Sequence, residues 1–145
     1  MKTIQITLLI FVIVETLNML ELYFLQDNCR FNGACVFSGW KKSKADPEVH
    51  ALMRYLVNWL AGVKMIVVGL LLVLIFTVPE ESLLLITITL FLTTASYFWR
   101  MHPMLRAADQ AGQVIPRGHA KRLSVMVVGL GLSLVFGVVM QLLHL

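Results

Sequence analysis

The sequence predicts an all-α integral membrane protein, four transmembrane helices in an antiparallel bundle, on three observations. The first is composition: of 145 residues 59% are hydrophobic and only 14% charged, and mean hydropathy is +0.83, far from the balance of a soluble domain. The second is a set of four windows long and apolar enough to cross a hydrocarbon core of about 30 Å, which takes about 20 helical residues. These are Ile4 to Leu25, Asn58 to Thr77, Leu83 to Trp99 and Leu123 to Leu143. The third is the connection over 78–82, too short to hold a domain, which makes a hairpin of the second and third spans. No internal repeat divides the chain, so residues 1–145 read as one four-helix domain with both termini on one side.

The first span follows Met1 and Lys2, as a signal peptide's apolar core would. Its apolar run is too long for one, is interrupted by carboxylates, and lacks a small-residue cleavage site before Asp27, so it is read as a genuine span. The second helix starts before its span does. Asp46 suits an N-cap, Pro47 the first helical position, and Glu48 the positive helix end. An unbroken helix from Pro47 to Thr77 is about 46 Å long, so its first turns extend into the cytoplasmic interface. There Leu52, Tyr55, Leu56, Trp59 and Leu60 share one face of an amphipathic stretch.

Glu80 and Glu81 open the third helix, where negative charge is favoured. Its hydroxyls, Thr87, Thr89, Thr93, Thr94 and Ser96, could line a polar path, but membrane-helix hydroxyls more often bond their own backbone. From His102 to His119 two prolines and two glycines point to an irregular connection with one short helix around Met104 to Gln110. On the fourth helix Gly129, Ser133 and Gly137 recur every four residues and form a shallow face for close helix packing. The partner on that face is a helix of this chain or of another subunit.

Ten of the twelve Lys and Arg residues lie in or beside the first and third connections; Lys2 and Lys64 are the others. Basic connections stay cytoplasmic, which puts both termini outside and suggests a bacterial inner membrane. Tyr23, Phe24, Trp40, Trp59, Tyr97, Phe98 and Trp99 cluster near the basic side, as an interfacial belt does. The net charge of +4 fits an anionic inner leaflet, with Arg100, Arg106, Arg117, Lys121 and Arg122 at lipid headgroups. No soluble basic domain exists to carry nucleic acid.

With that topology Cys29 and Cys35 face a reducing compartment and are expected as free thiols; a disulfide would argue for the inverted orientation. His50, His102, His119 and His144 fall in connections or at helix ends, where they are expected to be interfacial or solvated. They supply neither paired haem ligands nor, with the cysteines, a four-ligand zinc site. Ser133 has no histidine at its depth, and the chain has no phosphate-binding glycine loop and no HExxH, so no metal, cofactor or catalytic residue is assigned.

What remains is a polar constellation inside the apolar spans: Glu15, Asn18 and Glu21 on one face of the first helix, and Lys64 in the second. A charge near the bilayer centre costs roughly 2.5 to 3.5 kcal/mol on insertion scales, so such groups turn inward and pair. With Leu25 and Asn58 as the boundary, helix rise puts Glu21 about 6 Å deep, Lys64 about 9 Å, Asn18 about 10 Å and Glu15 about 15 Å. Glu21 and Lys64 then pair, Asn18 bridges between helices, and Glu15 is left over as a titrating carboxylate. The functional expectation is a small transporter or channel for protons, cations or a small solute. The rivals are an accessory or assembly subunit of a membrane complex, and a lipid- or quinone-modifying enzyme. A homo-oligomer or a partner subunit is expected in the first two cases.

Overall fold

The computed structural model describes residues 2–28 and 34–143, and every named element among them is helical. The elements are α1 (Thr3–Phe24), a 3-10 turn (Ala34–Val36), α2 (Ser38–Ser43), α3 (Pro47–Thr77), α4 (Glu80–Ala95), α5 (Tyr97–Gln110) and α6 (His119–Leu143). Four helical stretches are long and apolar enough to cross a membrane: α1, α3, α4 continued into α5, and α6. Their outward surface carries large apolar side chains such as Ile13, Leu17, Ile66, Val73, Phe76, Leu85, Leu92, Leu132 and Phe136. An apolar surface of that extent is stable against lipid, not water.

Local chemistry sets most of the helix ends. Asp46 accepts hydrogen bonds from the amides of Glu48 and Val49, with Pro47 in the first turn, so α3 begins where its capping residues indicate. Val78 and Pro79 break the chain before α4, whose first turn holds Glu80 and Glu81. Glu80 does more than cap. It takes an ion pair from Lys2 and a hydrogen bond from Gln141 Nε2 at 2.9 Å, tying the start of α1 and the end of α6 to the start of α4.

The third stretch is longer than the sequence indicates. At Ser96 the helix makes a one-residue turn, with Ser96 N–H still bonded to the Leu92 carbonyl, and resumes as α5 through His102 and Pro103. Proline forgoes one backbone bond, but burial of Tyr97 and Leu105 against Val36, Val114, Ala120 and Leu123 holds the segment helical. The irregular connection is therefore confined to residues 111–118. Asp109, near the end of α5, accepts from the Gly118 and Ala120 amides at 2.9 and 3.1 Å and so caps α6.

The main core lies toward the 78–82 turn: Ile4, Leu8, Phe11 and Val12 of α1, Val68, Leu71 and Ile75 of α3, Leu83 of α4 and Leu134 of α6. The small-residue face of α6 divides. Gly137 is buried against α1, where an added Cβ would lie 2.9 to 3.0 Å from three Thr7 atoms, while Gly129 is exposed with nothing within 4 Å and Ser133 is half-buried.

At the other end the two long connections join. Ser38 N–H bonds the Gln113 carbonyl and Ile115 N–H the Val36 carbonyl, with a bridge between Phe37 and Val114. Beneath this seam Trp40 is 2% exposed and donates its indole N–H to Asp27 at 2.7 Å. Trp40 is thus not part of an interfacial belt: its polar edge found a carboxylate within the connection. Cys35 is disulfide-bonded, against the expectation of a free thiol; Cys29 lies outside the described residues, as does His144. The expectation of a free thiol rests on the compartment alone, whereas a disulfide also depends on how closely the fold brings two cysteines together.

Hydrogen bonds from Lys44 and Trp40 hold the Asp27 carboxyl below its ordinary 3.8. A carboxyl depressed on folding stabilises the connection above that ordinary value, and the contribution is lost as pH falls through the folded pKa. Acid titration of the Trp40 indole N–H resonance is expected to show a midpoint below 3.8. Asp27→Asn should abolish that transition. A midpoint at or above 3.8 rules out the bonded arrangement.

Candidate functional site

Lys64 forms its ion pair with Glu15, not Glu21. The physical reason is register. Gln5 near the start of α1 donates to the Ile75 carbonyl near the end of α3, and counting equal lengths inward from that contact brings Glu15 level with Lys64. The boundary assumed from hydropathy sets the two helices about one turn out of step. The lysine stem, four carbons long, reaches across at that level. Glu15 is accordingly not the carboxylate left over, and its partner is the lysine expected to serve Glu21.

Glu21 is 3% exposed and lies further along α1, next in the chain to Leu22, which packs with Met19 and Ala61. The amide bridge to α3 comes from just beyond α1, where Gln26 donates to Asn58. Asn18 makes no side-chain hydrogen bond within the described residues and instead lines a cavity.

That cavity, about 270 Å³, is where the polar residues converge. Glu15 and Asn18 of α1, Lys64 of α3 and Tyr97 of α5 share its wall, and Val14, Leu17, Met101, Leu123, Met126, Val127 and Leu130 make the rest apolar. Both charged side chains keep about a quarter of their surface, 24% for Glu15 and 26% for Lys64, so the pair is reachable from the cavity. Tyr97 is 8% exposed, and its hydroxyl has no hydrogen-bond partner among the described residues. A buried polar atom left unpaired costs roughly 1 to 3 kcal/mol, so an ordered water or a bound group is the usual partner of such an atom.

Tyr97 is the residue that sequence reasoning placed elsewhere, in an aromatic belt. Its only distinctive signal is position, at the seam where α4 passes into α5. The hydroxyls of α4 do not extend the polar path: Thr87, Thr89 and Thr93 donate to backbone carbonyls of their own helix, as does Ser96 at its end. His119 is 7% exposed, buried and not interfacial or solvated as expected, because the start of α6 is covered by the seam between the connections. His50 bonds Ser43 Oγ and His102 bonds Ser124 Oγ, each at 2.9 Å.

The five basic residues expected at headgroups also divide. Arg106, Arg117 and Lys121 line one open pocket of about 590 Å³ with His102, Asp109 and Ser124; Arg100 and Arg122 are exposed outside it. Among the described residues no group of three or more His, Cys, Asp or Glu could hold a metal ion.

Fold and site thus define an all-helical chain with four membrane-length apolar helices and a charged, partly lined cavity among them. Comparison with protein families, with curated proteins and with solved structures finds no match.

Proposed function

We propose that the four long helices form an antiparallel bundle in a bacterial inner membrane and that the protein moves a proton, a cation or a small solute by way of the Glu15, Asn18 and Lys64 cluster. The observation that supports this most directly is the Tyr97 hydroxyl, buried without a partner beside an ion pair on the wall of a cavity. A solute with one hydrogen-bonding group satisfies Tyr97, and the Glu15–Lys64 pair can open to take a proton or cation, exchanging one partner for another.

Vesicles reconstituted with the full chain and a pH-sensitive dye provide the test. Glu15→Gln is expected to abolish flux or its pH dependence while the protein still inserts, and Tyr97→Phe to lower it severalfold. Flux unchanged by both substitutions removes the cavity from the mechanism.

Exposed Gly129, with open space around it, favours a second reading in which α6 meets a helix of a partner subunit and the chain is an accessory component. Gentle detergent purification separates the two. A homo-oligomer favours transport, and a stoichiometric foreign partner the accessory role. For orientation, the Lys and Arg count places both basic connections in the cytoplasm with both termini outside, whereas the Cys35 disulfide favours the inverse. We adopt the charge-based orientation because ten basic residues on one side outweigh Lys2 on the other.

A further inference from the structure

We infer that the open pocket between α5 and the start of α6 binds a phosphate group, that of an anionic lipid headgroup. Arg106 on α5 and Arg117 and Lys121 around the start of α6 converge on this pocket. Among the described residues none of the three has a carboxylate within ion-pairing distance. Asp109 is the one acid in the pocket wall, and both its oxygens are engaged with the Gly118 and Ala120 amides. The pocket therefore carries three cations facing one carboxylate already bound elsewhere. Like charges held together around a concave surface repel until an anion enters, and arginine recognises phosphate oxygens in a planar, two-pronged geometry.

Position selects the source of the phosphate. Ser124, on the pocket wall, stands at the start of the apolar stretch of α6, and Val128, one turn further along the same face of α6, is exposed. A phosphate in the pocket thus sits where a headgroup meets its acyl chains, and Val128 can lie against those chains. Ser124 Oγ and His102 Nδ1 are already bonded to one another, so the basic side chains provide the recognition.

The test uses the full chain in detergent, with lipid adducts counted by native mass spectrometry. Phosphatidylglycerol is expected to be retained in preference to phosphatidylcholine. The double variant R117Q/K121Q should weaken that retention by about tenfold or more. R100Q/R122Q removes the same charge outside the pocket and should leave retention within about twofold, because exposed charges at that distance are screened. All four side chains are exposed and without ion-pair partners, so folding is expected to survive, with helicity by circular dichroism as the check. Equal losses in the two double variants overturn the pocket and leave only a general attraction. Binding of inorganic phosphate without any preference for phosphatidylglycerol overturns the lipid source.

Discussion

Replacing Gly137 by alanine is expected to destabilise the protein in detergent by about 1 to 3 kcal/mol, the usual range for forcing a methyl group into a filled contact. The new Cβ would lie 2.9 Å from Thr7 Oγ1 and 3.0 Å from Thr7 Cβ and Cγ2. Thr7 cannot swing aside at no cost. It is 4% exposed, and its hydroxyl is bonded to the Thr3 carbonyl one turn back. The strain falls on the contact between α1 and α6, so the core around Ile4, Leu8 and Leu134 should loosen with it. The same substitution at Gly129 is the control, because nothing lies within 4 Å of that position. There the better helix propensity of alanine predicts a gain of roughly 0.5 to 1 kcal/mol. Thermal unfolding of the two variants followed by circular dichroism reads the difference. Equal behaviour contradicts the α1–α6 contact, and a loss at Gly129 alone points to a subunit interface on that side.

The contrast between these glycines also shows where sequence reading stops. Four-residue spacing marks Gly129, Ser133 and Gly137 as equivalent, but only the placement of α1 distinguishes them. The start of α3 is legible because Asp46, Pro47 and Glu48 act within one turn of each other. α5 is not, because a proline in its interior argues for a break and the packing that overrides it comes from Val36 and Val114, distant in the chain. Trp40 is read as a membrane anchor for the same reason, since its partner Asp27 belongs to a connection whose path the sequence does not specify. The membrane character and the identities of the intramembrane polar residues are legible from composition and periodicity. Their pairing is not. A register difference of about one turn between two helices exchanges one carboxylate for another, and hydropathy locates a span's edge no better than that.

That pairing yields the other large expected effect. Lys64→Met leaves Glu15 without its partner beside an apolar wall, and removal of one partner from a buried pair costs about 3 to 5 kcal/mol. Here each side chain retains about a quarter of its surface, 24% for Glu15 and 26% for Lys64, so water reaches the pair and the expected loss is lower, about 2 to 3 kcal/mol. Glu15→Gln strands the lysine instead, and its long stem lets the ammonium turn toward the basic connections, so the smaller single loss is expected there. The double variant Glu15→Gln/Lys64→Met removes both charges of the pair and should be more stable than Lys64→Met alone, with a coupling of about 1 to 2 kcal/mol in a double-mutant cycle. Lys64→Met paired with Glu21→Gln is the discriminating comparison. Additive losses in the Glu15 cycle, with coupling in the Glu21 cycle, would reverse the assignment and return Lys64 to Glu21.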